Sequence, residues 1–468
     1  MDFNLVTGLM SELEAKRVKD RISALPDAVL CHILSFLDRT EDAVTTSVLS
    51  KRWKKIWASV PSLVFCDEDN PDCVSFVRFV DNVLFFRNST DIRKFHLQSC
   101  CVKDFARIYG WIGTAIRRNV VELDLSVEDF AGDDDHPRVF ELPESVFTCK
   151  TLMVLGLSSN FITNPPTSGC FPSLKSLNVQ IDHPVNKSVE KLFSCCPVLE
   201  NLRIGGSHGM QRDDPILNFN VSAPELKTLR IYWSSCDVYE KCCKFHINAP
   251  KLENFHLWQD PPTDCFLENS KTLVKVTITL CDPLHDNSAE ADHRFAIRGT
   301  ALLAGISSAR SLYLSAHRLK KCCLPTFDKL SRLELILYNC YYWELLKELL
   351  KRSPNLERLV LELNECKCGE SSDHQWIPPR FVPSCLLSQL KTISVRGFKG
   401  KVDEMDVAKY LLENGEGLKK MTIYYNDHLC MKEELHKQFS MFQWGSVTCQ
   451  VELFADIREA NCASFGMF

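Results

Sequence analysis

Through the middle of the chain, apolar residues return in one frame, L-x-x-L-x-L, often with a proline two positions ahead of it. The clearest copy is Pro172-Ser173-Leu174-Lys175-Ser176-Leu177-Asn178-Val179. Four near-copies start at Pro197, Pro224, Pro250 and Pro354, and looser ones at Ile92, Val120, Leu152, Leu273, Ala309, Leu330 and Leu390. Frames beginning at 152, 174, 199, 226, 252 and 273 give periods of 21 to 27 residues. Each frame predicts a short strand whose alternate apolar residues point to one side. A different rhythm precedes them. Leu30, Ile33, Leu34 and Leu37 fall at i, i+3, i+4 and i+7, the stripe of one helix, with Pro26 at its first position and Asp27 in its positive first turn. Thr40 is placed to cap a second short helix, and Ser50 a third that carries Trp53, Ile56 and Trp57.

The periods fit leucine-rich repeats, which run at roughly 20–29 residues. No single repeat buries its apolar face alone. Stacked parallel strands complete one core, and the intervening segments cross back on the other side, so a curved solenoid is expected. Ser188 to Phe193 and Trp343 to Leu350 read as helices on that far side, stopped by Pro197 and Pro354. Longer gaps after Leu273 and Leu356 mark insertions or lost repeats, and the polar stretches 133–136, 281–293 and 366–374 read as loops. Polar strand residues such as Lys175, Arg203, Lys227 and Arg230 face outward, either as ordinary solvated positions or as a recognition surface.

The N-terminal helices carry a specific string: Leu25-Pro26-Asp27, Ile33-Leu34-Ser35-Phe36-Leu37, and Thr46-Ser47-Val48-Leu49-Ser50-Lys51-Arg52-Trp53 followed by Trp57. It resembles the plant F-box motif, with Lys54 standing where that motif more often has arginine. The resemblance implies docking on the Skp adaptor of a cullin-based (SCF) ubiquitin ligase. It carries Leu25, Pro26, Ile33, Leu34, Leu37, Leu49, Ser50 and Trp53 over to the adaptor contact. The bland alternative is a helical cap on the following domain with these residues as its core. Beyond Pro378 the rhythm changes. Val382-Pro383-Ser384-Cys385-Leu386, the turn Gly397-Phe398-Lys399-Gly400, the helix from Asp403 to Leu412 around Ala408-Lys409-Tyr410-Leu411-Leu412-Glu413-Asn414, and Leu418-Lys419-Lys420-Met421-Thr422-Ile423 resemble the FBD domain that follows leucine-rich repeats in many plant F-box proteins. The expected fold is α/β: a three-helix F-box at 20–66 after an N-terminal segment 1–19, a parallel-strand repeat solenoid at 67–377, and an FBD-like α+β cap at 378–458 with a tail 459–468. A cap is needed because the last repeat otherwise leaves an open apolar end.

Composition narrows the chemistry. Among 468 residues, a net charge of −5 argues against general nucleic-acid binding. The 23 cysteines, several in adjacent pairs such as Cys100-Cys101 and Cys195-Cys196, read as reduced thiols packed as small hydrophobes, because the chain has no secretory signal. Cys366-x-Cys368 with His374 lacks the second ligand pair of a zinc site, and no metal or cofactor is expected. No phosphate loop, nucleophile elbow or zinc helix occurs, and Cys170, Cys236, His246 and His256 have no readable catalytic partner. The basic residues Lys51, Arg52, Lys54 and Lys55, with Lys16, Arg17, Lys19 and Arg21, suit an acidic adaptor or, alternatively, nuclear import. No apolar run of membrane-spanning length occurs. The expected protein is a non-catalytic, intracellular substrate-recognition subunit in the nucleus, the cytoplasm or both. Its partners are a Skp-type adaptor, a cullin through it, and an unknown target protein. The alternatives are an adaptor-binding scaffold without a ubiquitination role, and a small-molecule receptor.

Overall fold

The computed structural model describes residues 21–68, 72–87, 91–102, 104–127, 140–158, 161–162, 166, 170–182, 187–208, 217–235, 243–260, 264–280, 289–316, 319, 322–338, 342–365, 376–425 and 432–456. The chain divides into two compact units, Met1–Arg138 and Val139–Phe468.

The first unit opens with three short helices, α1 (Asp27–Leu34), α2 (Thr40–Thr45) and α3 (Trp53–Ile56), with 3-10 turns at Thr46–Val48 and Trp57–Ser59. It continues as β1 (Ser62–Cys66), α4 (Cys73–Phe86), β2 (Lys94–Ser99), α5 (Phe105–Arg117) and β3 (Glu122–Val127). The strands run parallel and in phase, so Leu63, Phe95 and Leu123 share one ladder step and Phe65, Leu97 and Leu125 the next. All six are buried. Asp72 and Asp104 cap α4 and α5 by accepting the amides of Val74 and Ala106. Asn119, at φ 58°, ends α5: its own amide bonds Ile116 and that of Val120 reaches back to Ala115. Phe76 of α4 meets Trp111 of α5 edge to face, and Asp81 accepts both the Trp111 indole N–H and an Arg107 N–H at 2.8 Å.

The second unit begins with β4 (Phe140–Glu141), α6 (Glu144–Phe147), β5 (Val154–Ser158), β6 (Phe161–Ile162), β7 (Ser176–Asp182), a 3-10 segment Lys187–Cys195 and β8 (Asn201–His208). There follow β9 (Asn218–Ser222), β10 (Thr228–Ser235), β11 (Lys244–Asn248), β12 (Asn254–Asp260), β13 (Asp264–Glu268) and β14 (Lys275–Leu280). The remainder is α7 (Ala289–Gly305), β15 (Ser311–Ala316), β16 (Arg332–Tyr338), α8 (Tyr342–Arg352), β17 (Arg358–Asn364), α9 (Ser384–Ser388), β18 (Thr392–Phe398), α10 (Val402–Asn414), β19 (Lys420–Tyr425), α11 (Lys432–Ser440) and β20 (Gln450–Ala455). Its main sheet is parallel in the order β5-β7-β8-β10-β12-β14-β15-β16-β17-β18-β19-β20. One apolar ladder runs Leu155, Leu177, Leu202, Leu229, Phe255, Val276, Leu312, Leu333, Leu359, Ile393, Met421, Val451 without a slip.

Each strand starts two residues after the first leucine of its frame, and that leucine closes a tight turn. The amides of Leu174, Leu199, Leu226, Leu252 and Leu356 bond the carbonyls of Phe171, Cys196, Ala223, Ala249 and Ser353, three residues back. The recurring prolines, Pro172, Pro197, Pro224, Pro250 and Pro354, occupy the second position of these turns, where their fixed φ fits and no N–H is required.

The far side departs from expectation in one region. Between β8 and β14 the chain returns through strands, and β9, β11 and β13 form a second parallel sheet. The cause is period-2 alternation in Asn218-Phe219-Asn220-Val221-Ser222 and Lys244-Phe245-His246-Ile247-Asn248, where a helix would leave half the apolar residues in water. Phe219 stacks on Phe245 at 4.9 Å, with Phe193 and Trp233 packed against Phe219. The segment 188–193, read as a helix, is 3-10 instead, whereas α8 covers 343–350 as expected.

The C-terminal part continues the same ladder. β18 and β19 pair in register with the repeats, and a further helix, α11, and strand, β20, follow the expected last strand at Leu418 to Ile423. Gly397 sits at a bulge in β18 with φ 69°, and a Cβ there would meet the Leu363 carbonyl oxygen at 2.5 Å.

Phe245→Ala is expected to cost about 3–5 kcal/mol, read as a lower denaturation midpoint, while Phe266→Ala, on the exposed side of β13, costs under about 1 kcal/mol. A second outcome depends on pH. The buried Asp67 carboxylate accepts the Ser99 hydroxyl at 2.6 Å and the amides of Cys100 and Cys101 at 3.0 and 2.9 Å. Burial alone raises its pKa, but these bonds and the Cys101 side chain outweigh it, so the group lies below its ordinary value. Its stabilisation is therefore complete above the unfolded value near ~3.9 and lost as pH falls through the lower folded value. Asp67→Ala is expected to destabilise by about 1–3 kcal/mol at neutral pH, and the gap from the native chain should narrow under acid in urea titrations at about pH 7 and pH 3.

Candidate functional site

The three N-terminal helices are too short to be stable singly, and a compact core holds them. Leu30, Leu34, Ala43, Trp53, Ile56 and Val60 form it, with Leu25, Cys31 and Trp57 packed against it. Arg52 fastens the module's ends: its guanidinium donates to Asp27 Oδ1 at 2.8 and 2.6 Å and to the carbonyls of Ser23 and Leu25. The Trp53 indole N–H donates to Ser23 Oγ at 3.1 Å. Thr40 does not cap α2, since Arg39 holds the cap position; its buried hydroxyl accepts the Val64 amide at 2.8 Å instead, tying α2 to β1. Ser50 is not at the cap position of α3 either, which Arg52 holds, but its Oγ accepts the Trp53 amide at 3.4 Å. Pro26 is the residue before α1, one position earlier than expected, and its carbonyl accepts the amides of Val29 and Leu30.

The apolar stripe of α1 divides between two environments. Leu30 and Leu34 face inward, whereas Ile33 is 46% exposed, Phe36 72% and Leu37 36%. Leu49 at 64% and Val48 at 83% add to this outer set, and Pro26 and Ser50 are also exposed. Leu34 and Trp53, at 6 and 5% exposed, are core residues with little surface. The sequence pattern grouped them with the outward residues because it shows periodicity but not which flank of a short helix its neighbours cover. Phe36 and Val48, not singled out beforehand, are the most exposed of the set. Lys51, Lys54 and Lys55 are exposed beside it. This small module thus leaves several large apolar side chains on its surface.

The remaining candidates have structural settings. Cys170 donates to the Pro166 carbonyl, and burial pushes its thiol above the ordinary value, the opposite of an activated nucleophile. His246 stacks on Phe266 at 5.2 Å, and His256 lies 5.1 Å from the Tyr232 ring. Lys175 and Lys227 both pair with Glu200, at 3.2 and 2.8 Å. Cys236, Cys366, Cys368, His374, Lys16, Arg17 and Lys19 lie outside the described residues. No helix among the described residues is long and apolar enough to cross a membrane.

Comparison with known proteins accounts for this arrangement along the whole chain. The F-box domain profile matches residues 22–65, the profile of the LRR repeats of FBD-associated F-box protein At5g56370 matches 108–286, and the FBD profile matches 378–423. An FBD-associated F-box protein of Arabidopsis thaliana, At3g50710, is 32% identical over 93% of this chain and 100% of its own length. The F-box/FBD/LRR-repeat protein At5g56420 of the same plant is 30% identical, covering 92% of this chain and 98% of its own. F-box/LRR-repeat protein 13 of Arabidopsis is 31% identical over 90% and 92%. Three profiles in the order of the three structural parts, and relatives matched nearly end to end, show that the chain belongs to the F-box/FBD/LRR-repeat protein family.

Proposed function

We propose that this protein is the target-recruiting subunit of an SCF-type ubiquitin ligase: its N-terminal helices dock on a Skp-type adaptor, and through it a cullin, while the repeats hold a target protein. The observation that carries this reading is the outward apolar set Ile33, Phe36, Leu37, Val48 and Leu49 on an F-box module. In water these side chains gain nothing. In a complementary groove each gains on the order of 1.5–3 kcal/mol on full burial. Pro26, Ile33, Leu37, Leu49 and Ser50 meet the adaptor directly on this reading. Leu25, Leu34 and Trp53 act from beneath, by fixing the helices that present that face.

The protein supplies position rather than chemistry. Holding a target beside a charged ubiquitin carrier turns an encounter between separate molecules into a local one, an effect that reaches about 7–11 kcal/mol in well-oriented systems and less in a flexible assembly. No catalytic residue is then required of this chain. The ligase reading puts the protein inside the cell, in the nucleus, the cytoplasm or both.

Ile33→Asp combined with Leu49→Asp is expected to weaken binding of the full chain to a purified Skp adaptor by about 2 kcal/mol or more while leaving its melting profile unchanged. Trp53→Ala is expected to lose the adaptor differently, by destabilising the module by about 3–5 kcal/mol, visible as lower helical signal and earlier proteolysis near residue 52. Undiminished adaptor binding by the folded double variant would refute the outer face as the docking surface. Failure of the native chain to bind the adaptor would refute the ligase role.

A further inference from the structure

On the solvent side of each unit's strands, several opposite charges meet. Lys94 meets Glu122 at 2.8 Å, Lys391 meets Glu357 at 3.0 Å, and Lys420 meets Glu452 at 2.9 Å. Glu334 lies 3.5 Å from Arg332 and 3.9 Å from Arg396. Cross-strand pairs of this kind stabilise a sheet, and like charges directly opposite destabilise it.

Like charges also face each other, as where Arg332 stands across from Arg358 with Glu334 3.5 Å from Arg332. The larger grouping lies over β8, β10 and β12. The register sets Arg203 directly across from Arg230, and Arg230 across from His256. Neighbouring strands are only about 4.8 Å apart, so two guanidinium groups share one small stretch of surface. Lys275 stands at the start of the next strand, β14. Arg230 and Lys275 are exposed and form no ion pair among the described residues. His256 adds no positive charge of its own: burial, then Arg230, Lys275 and Arg203, hold its proton affinity below the ordinary value. The adjoining row carries aromatic surface. Tyr232 lies across from Trp258, and the Arg203 guanidinium sits 4.8 Å over the Tyr232 ring, which fixes the plane of that guanidinium.

The strip therefore joins three neighbouring cationic side chains, two of them exposed and without an ion pair among the described residues, to the aromatic surface of Tyr232 and Trp258. We propose that this strip binds an acidic peptide segment of the target protein, its carboxylates meeting Arg203, Arg230 and Lys275 and its apolar groups packing on Tyr232 and Trp258. The proposal rests on the reading that the repeats hold a target protein. A nucleic acid is the poorer fit, since the chain's net charge is −5 and the basic strip is short.

The test is fluorescence anisotropy of the full chain with a labelled octaglutamate peptide at low salt, alongside an oligouridine of similar length. The native chain is expected to bind the peptide and to release it as salt rises. The Arg230→Glu, Lys275→Glu variant should bind about tenfold more weakly or worse, with unchanged melting. Lys329→Glu, Lys437→Glu, reversing two exposed charges elsewhere, should bind like the native chain. Equal weakening by both variants, no peptide binding by the native chain, or binding of the oligouridine alone would overturn the proposal. Adaptor binding by the same preparations separates the two readings: if it is absent while peptide binding follows the expected pattern, the ligase role falls and the acidic-peptide site stands.

Discussion

The structure depends on in-phase stacking of short parallel strands, each able to bury its apolar side only against the strands beside it. From Leu155 to Val451 one apolar position per strand occupies the same ladder step, and a slip of one residue anywhere would turn that strand's leucines into solvent. The turn that precedes each strand sets this phase. By closing over three residues just before the strand, with proline at its second position in the clearest copies, it fixes where the strand begins relative to the frame. The C-terminal FBD region obeys the same phase, so its strands extend the repeat core.

A consequence is that the two sides of the sheet are free to do different work. The buried side is fully committed to the ladder, and the crossing segments adapt to it by whatever local structure their sequence supports: a helix at α8, a 3-10 segment at Lys187–Cys195, strands at β9, β11 and β13. The solvent side carries no such obligation. Its charges can pair for stability, as Lys391 does with Glu357, or gather with like charges, as Arg203 and Arg230 do.

The N-terminal helices solve a related problem with far less material. Six buried side chains and one arginine clamp hold three helices of four to eight residues each, and the hydroxyl of Thr40 joins them to the edge of β1. With so small a core, the apolar residues cannot all be inside. Those left outside, Phe36 and Val48 foremost, become available to a partner, so the limited size of the module and its proposed docking role have one physical origin.

The sequence by itself determined the repeat frame, the start of each strand that carries that frame to within two residues, and the order of F-box, repeats and FBD, because periodicity and turn residues act over a few neighbouring positions. It also picked out the F-box segment and its apolar residues. What it did not reveal was their direction. Leu34 and Ile33 are adjacent, equally apolar and part of the same stripe, yet one is core and the other surface, and the difference is made by Trp53 and Ile56, some twenty residues away. The return strands β9, β11 and β13 and the clustering of Arg203, Arg230 and Lys275 were hidden for the same reason. Each depends on which residues of distant repeats lie side by side, a matter of register between strands 21 to 27 residues apart that only the folded sheet decides.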